Sequence, residues 1–308
     1  MDSGEVTIAI TTGLRFTALA LLTLVRQLHV KDLPVTSLHI SLISTVSWLG
    51  ILLFSPIWGA LSDVLGQRKQ LLIFSLLGTA VTYFLFIPFH SYWTIILLSL
   101  LSSTLGAGFP PITLALVSDK IEKGERGQRL SVFNSSRSFG FFTGRICYWI
   151  LILSLMTLAH QFWVVFLIMG GGAFFSFFFP ESEVQQREDS EFGSFLEKVK
   201  ERLTPSLEGL NLTESGGIFL LIAVALRKGA IVGVFSLLYV YMANVGIPSA
   251  LIGLLVALNP ATQVIFMIIF GKLTDQIGRK KIFLLGFGLC AFVPFLFSFG
   301  RTVTPFIL

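Results

Sequence analysis

Nine apolar runs, each long enough to cross the hydrocarbon core of a bilayer, constrain this chain more than any other feature. A helix rises 1.5 Å per residue, so about 20 apolar residues make one crossing. The runs are Val6–Leu28, His39–Leu61, Leu71–Phe89, Trp93–Val117, Leu130–Leu153, Leu158–Phe179, Gly217–Ala243, Ala250–Leu273 and Ile282–Phe299. Of the 308 residues 54% are hydrophobic and only 13% charged, with 31 Phe, and the mean hydropathy is +0.84. A soluble domain does not reach such values, so an all-α membrane protein of about nine transmembrane helices is expected. The N-terminal MDSGEVTIAI has no basic stretch before its apolar run and no small-residue cleavage site, so the first run is read as a retained span.

Two of the polar turns between runs are copies of one another. Gly59–Lys69 reads GALSDVLGQRK and Gly271–Lys281 reads GKLTDQIGRKK. Gly59, Leu61, Asp63, Gly66 and Lys69 thus recur as Gly271, Leu273, Asp275, Gly278 and Lys281, always 212 residues on, and the same offset carries Leu14-Arg15 onto Leu226-Arg227. The glycines let two helix ends approach closely, and the basic cluster suits the membrane surface. One such turn means little; two at one offset indicate a duplicated domain. The expected organisation is an N-terminal six-helix bundle over 1–180, a linker over 181–215 and a second, incomplete bundle over 216–308. Within the linker, Phe192, Phe195, Leu196, Val199 and Leu203 have the spacing of an amphipathic surface helix. The offset sets Leu308 opposite Ile96, so about three spans of the second bundle are expected to be missing.

The distribution of Lys and Arg orients the spans. With the N-terminus inside, the inner loops hold fourteen: Arg68, Lys69, Lys120, Lys123, Arg126, Arg129, Arg187, Lys198, Lys200, Arg202, Lys272, Arg279, Lys280 and Lys281. The outer loops hold three, Arg26, Lys31 and Arg301. This bias puts the N-terminus, the linker and both repeated turns in the cytoplasm of a multi-pass plasma-membrane protein. The net charge of +5 is spread over loops and not along one basic face, so the bilayer, and not nucleic acid, is the expected partner.

In these turns the chain resembles the major facilitator superfamily, whose signature between spans two and three, G-x-L-x-D-R-x-G-R-[RK]-[RK], has a weaker copy between spans eight and nine. Gly59, Leu61, Asp63, Gly66, Arg68 and Lys69 match the first copy; Gly271, Leu273, Asp275, Gly278, Arg279, Lys280 and Lys281 match the second. Val64, Gln67 and Gln276 depart from it. The resemblance implies two helical bundles related by a pseudo-twofold axis along the membrane normal, rocking about a central small-molecule site. It also implies that the signature residues form a cytoplasmic gating latch, with an acid at the inner end of span four; Asp119 occupies that place. Proton-coupled drug exporters of the family carry an Arg-rich signature in span four and a Gly-Pro signature in span five. Span four here has no Arg, and in span five Arg145 stands where the proline would be, after Gly140-x-x-x-Gly144.

The five remaining cations, Arg15, Arg137, Arg145, Arg227 and Lys228, fall inside spans, and no acid does. Ionisable groups in spans are costly and face a partner or a cavity. Arg15 and Arg227 hold equivalent places in the first span of each half. Arg137 shares a helix face with Gly140 and Gly144 at about 100° per residue, a face suited to close helix contact; Arg145 is turned from it by roughly 80° and is free to snorkel. Arg15, Arg137 and Arg227 are the candidate substrate-binding residues, because guanidinium suits carboxylate or phosphate. The alternative is that backbone carbonyls, Ser and Thr, or acids of further spans satisfy them. Pro110-Pro111 are expected to kink span four.

Cys147 and Cys290 are read as small core residues, and His29, His39, His90 and His160 as interfacial packing at span ends. No catalytic group, metal cluster or phosphate loop is visible, so neither an enzyme nor a cofactor or metal is expected. Two function classes remain: a secondary active transporter working by alternating access on organic anions, drugs or metabolites with a proton as the candidate coupling ion, or a non-transporting remnant, sensor or scaffold with the same fold.

Overall fold

The computed structural model describes residues 3–89, 91–119, 126–179, 199 and 217–298. Ten helices lie within them: α1 Ser3–Lys31, α2 Ser37–Leu65, α3 Arg68–Leu85, α4 Tyr92–Gly106, α5 Phe109–Asp119, α6 Arg126–Leu153, α7 Leu158–Ser176, α8 Gly217–Asn244, α9 Ser249–Ile277 and α10 Arg279–Ser298. Each expected span has its helix, span four being shared by α4 and α5. Six spans are long and apolar enough to cross a membrane on length and hydropathy alone: α1, α2, α4 with α5, α7, α8 and α9. The other three helices, α3, α6 and α10, begin at Arg68-Lys69, Arg126 and Arg279-Lys280-Lys281, and α6 also carries Arg129, Arg137 and Arg145. Their cations lower the hydropathy without shortening the helix. The linker and its expected surface helix lie outside the described residues, Val199 excepted.

Helix α1 is the axis of the first bundle, and its Ala18, Leu21, Leu22, Leu24, Val25 and Val30 are almost fully buried. It packs most heavily on α6 and α7, while α2 packs on α4 and α3 on α7 and α4. The α1–α6 seam is close because α6 offers glycine. A Cβ at Gly140 would overlap the Gly13 carbonyl and one at Gly144 the Thr17 carbonyl. Across the same seam the hydroxyls of Thr17 and Thr143 are 2.7 Å apart. The small-residue face read from the sequence is thus a helix contact.

Span four breaks where Pro110-Pro111 require it. Helix α4 ends at Gly106 and α5 starts at Phe109, and α5 leans on α2 and α3. Proline has no N–H for the carbonyl four residues earlier, and the loosened last turn of α4 is satisfied from three neighbouring helices. Trp58 Nε1 donates to the Thr104 carbonyl at 2.9 Å, Ser75 Oγ to Leu105 at 2.6 Å and Arg15 Nη2 to Gly106 at 2.6 Å.

The two halves meet mainly through α6 and α9, with α8 touching α1 and α2. The contact is uneven along the axis. At the end remote from the repeated turns, Leu238, Tyr239, Val240, Met242 and Ile247 of and after α8 are buried, as are Ile252, Leu255, Val256 and Ala257 of α9. Towards the repeated turns, Phe219 is 78% exposed and Leu226 70%, and Ile265 and Ile269 are exposed as well. The halves pack closely at the remote end, and apolar side chains of α8 and α9 nearer the repeated turns are exposed.

Candidate functional site

The two copies of the turn have one backbone solution. α2 ends in Gly66 with φ 67°, its N–H on the Ser62 carbonyl at 3.1 Å. α9 gives way to α10 at Gly278, with φ 95°. Both glycines adopt the left-handed conformation that an L side chain resists, at the 212-residue offset of the sequence repeat. In the first copy Gly59 faces Pro111 of α5, 3.7 Å from where its Cβ would be, and half-buried Leu61 packs on the core. Asp63 pairs with Arg68 at 3.2 Å across the turn, and Lys69 is half-buried in the first turn of α3. Asp119 is the last residue of α5, which packs on the helices flanking this turn. In the second copy Leu273 is half-buried and Lys280 exposed; Gly271, Asp275 and Arg279 are placed by their backbone alone, the first two in α9 and the third opening α10.

The intramembrane cations are not grouped as the sequence suggested. Arg15 and Arg137 come together on one ring: the Arg15 guanidinium lies 4.9 Å and that of Arg137 5.4 Å from the Phe16 centroid. Arg15 is buried in the first half, also 4.5 Å from the Phe109 ring, and its Nε has no partner. Arg137 is exposed. Its neighbour Ser138 turns instead towards α9, 3.5 Å from Gln263 Oε1. Arg227 stands apart, exposed, with Nη2 3.7 Å from Cys290 Sγ and its guanidinium 5.1 Å from the Phe287 ring. Lys228 of α8 reaches the first half, with Nζ 5.9 Å from the Trp48 ring of α2. It lies within Coulombic reach of both Arg137 and Arg227, so a run of positive charge crosses from one half to the other. The described acids, Glu5, Asp32, Asp63, Asp119 and Asp275, all sit at helix ends. Aromatic rings partly take the place of counter-ions, since a cation over a ring face is stabilised by its quadrupole.

Two cations depart from expectation. Arg26, counted with the outer loop although it lies within the first apolar run, is buried in α1 and donates to Ser99 Oγ of α4 at 2.7 Å. Arg145 does not snorkel: its guanidinium crosses to α9, Nη1 donating to the Val256 carbonyl at 2.5 Å and Nη2 lying 3.5 Å from the Tyr239 hydroxyl. Sequence reading also passed over Trp48, Trp58 and Ser75. For Trp58 and Ser75 the only signal was the bend at Pro110, since the carbonyl it frees is that of Gly106, whereas these two donors serve Thr104 and Leu105. Trp48 had none, since only the approach of α8 to α2 gives it a cation. Two of the histidines serve their helices: His39 Nδ1 lies 2.7 Å from Thr36 Oγ1 before α2, and His160 Nδ1 2.6 Å from Thr157 Oγ1 before α7.

Known proteins resemble this chain in sequence and fold. Residues 6–308 match the family model of the Major Facilitator Superfamily. The multidrug resistance protein MdtG of Salmonella arizonae is 26% identical over 90% of this chain and 67% of its own. The multi-drug resistance efflux pump PmrA of Streptococcus pneumoniae is 36% identical over 32% of this chain and 25% of its own. The chain therefore spans about two thirds of the one relative and a quarter of the other. Among solved structures, the human organic anion transporter MFSD10 superimposes over 99% of this chain and 81% of its own with a TM-score of 0.68 at 18% identity. A point mutant of the nucleoside transporter NupG does so over 98% and 78% with 0.69 at 15%; at such identities these likenesses speak for the fold. With the repeated turn, its left-handed glycines and the two-part helical bundle, the match over nearly the whole length has one meaning: this chain belongs to the Major Facilitator Superfamily.

Proposed function

We propose that the protein is a secondary transporter that moves an organic anion by alternating access, taking it up between the two halves at Arg137 and Arg227, with Arg15 adding charge from within the first half. The observation that carries this reading is the positive path from Arg137 through Lys228 to Arg227, with every described acid at a helix end. Cations with no counter-ion among the described residues attract a mobile anion, and guanidinium presents paired donors to a carboxylate. The rings of Phe16, Trp48 and Phe287 beside these cations favour an anion that also carries an aromatic or apolar body. The repeated turns form the cytoplasmic gate, with Asp63 exchanging Arg68 for the basic residues of the second copy and Asp119 adding an acid at the end of α5. The driving force in this proposal is a proton gradient, and the protein resides in the plasma membrane with its N-terminus inside.

Proteoliposomes holding the full chain test the reading, with radiolabelled p-aminohippurate, an aromatic carboxylate, as the probe. Saturable uptake is expected, reduced at least about tenfold by Arg137→Gln, since a charge-assisted hydrogen bond contributes roughly 1.5–3 kcal/mol; insertion should be unchanged. Flux that survives an ionophore collapsing the proton gradient would remove the coupling claim alone. The relatives named for multidrug resistance support a second reading, drug efflux. Transport of ethidium, a permanent cation, without transport of p-aminohippurate would favour it. A cysteine introduced at exposed Gln67 should react with an impermeant maleimide only after the cell is permeabilised; labelling of intact cells would reverse the orientation.

A further inference from the structure

The contact between Arg145 and Val256 has a cause in the sequence of the other helix. Inside α9, Pro260 lacks the N–H that the Val256 carbonyl, four residues earlier, would accept. Arg145 supplies it from α6, with Nη1 on that carbonyl at 2.5 Å. The first bundle contains the same device: Pro110 frees the Gly106 carbonyl, and Arg15 Nη2 fills it at 2.6 Å. The two differ in where the arginine comes from. Arg15 and Gly106 belong to one half, so that bond survives any rocking of the halves. Arg145 and Val256 belong to opposite halves, and theirs does not.

The neighbourhood of Arg145 is built for close approach. One turn before Val256, a Cβ at Gly253 would lie 2.9 Å from Tyr148 Cδ1, 3.2 Å from the Trp149 nitrogen and 3.3 Å from the Arg145 carbonyl. Val256 is buried, as are Leu255 and Ala257 beside it, and Arg145 meets the Phe141 ring at 5.8 Å on its own helix. The tie stands at the end where the halves are closed. Farther along the same seam, towards the repeated turns, Ser138 makes longer contacts, 3.5 Å to Gln263 Oε1 and 3.9 Å to Met267 Sδ.

We propose that Arg145 is the latch of the end remote from the repeated turns: it completes the proline-opened carbonyl of Val256 only while that end is closed, and so sets the balance between the two access states. Opening there withdraws the guanidinium and leaves a carbonyl that Pro260 cannot serve. This inference rests on the alternating-access reading but not on the identity of the substrate.

Paired nitroxide labels measure it without substrate. They go on Ser154→Cys, at the end of α6, and Asn244→Cys, at the end of α8, both exposed, in the full chain with Cys147→Ala and Cys290→Ala, reconstituted in lipid. In the parent protein short distances should dominate. Arg145→Gln should raise the long-distance, remote-end-open population about tenfold, the effect of removing one charged hydrogen bond. Pro260→Ala returns an N–H to the Val256 carbonyl and breaks the latch from the acceptor side, so it should produce the same shift with Arg145 intact. Combined, the two substitutions should shift the distances no further than either alone. Unchanged distances in Arg145→Gln, or additive shifts in the double variant, overturn the latch. Arg145→Lys, which keeps one donor, is expected to fall between, and with Pro260→Ala it carries the test if Arg145→Gln does not insert. A single distance population in every variant would instead tell against alternating access itself.

Discussion

A transmembrane proline is felt four residues before itself. The Gly106 carbonyl, opened by Pro110, takes its hydrogen bond from Arg15, so Arg15→Gln should destabilise the first bundle by about 1–3 kcal/mol, the cost of a buried acceptor left unsatisfied. Pro110→Ala in the same chain should recover at least half of the lost thermal stability, measured by scanning fluorimetry in detergent; no recovery would mean that Arg15 acts by packing alone. Left-handed glycine gives a second prediction at this scale. Gly66→Ala and Gly278→Ala should each cost about 1–2 kcal/mol, whereas Gly229→Ala, in open space on α8, should be neutral or slightly stabilising. Both turn glycines were legible in advance because they recur at one offset. The partners of the arginines were not, since which carbonyl a guanidinium reaches depends on how neighbouring helices pack; Arg26, counted with the outer loop, lies inside the first run and reaches Ser99 of α4.

At the scale of the helix, glycine spacing was the readable part. Gly140 and Gly144 mark the α1–α6 seam, where backbone meets backbone. Gly144→Leu should prevent that approach and abolish recovery of a monodisperse protein, and Gly144→Ala should cost about 1–3 kcal/mol, the usual range for overpacking. Gly170→Ala, with nothing near its Cβ position, is the control and should leave thermal stability unaltered. The break of span four was legible from Pro110-Pro111 as a bend. Its repair by Trp58, Ser75 and Arg15 was not, because those donors come from three other helices. Gly253 on α9 belongs to the same class of close contact, yet nothing in its local sequence says that α6 would be its neighbour. Pairing of helices from opposite halves is a tertiary fact, and hydropathy is blind to it.

For the whole molecule, the duplication visible in two turns becomes two bundles whose corresponding turns close on left-handed glycines. The family, the all-helical class and the positions of the spans followed from the sequence because lipid leaves so few solutions. Arrangement of charge between the halves did not follow. Arg15 and Arg137 share Phe16, Arg227 stands apart, and Lys228 reaches from the second half to Trp48 of the first. The halves pack closely at the remote end, and the positive charge between them is what the proposed anion would cross. Uptake of p-aminohippurate into proteoliposomes, compared between the parent chain and Arg137→Gln at equal insertion, tests this most directly. Saturable uptake that falls at least about tenfold in the variant is the predicted result; equal uptake in both, or none in the parent chain, would contradict it.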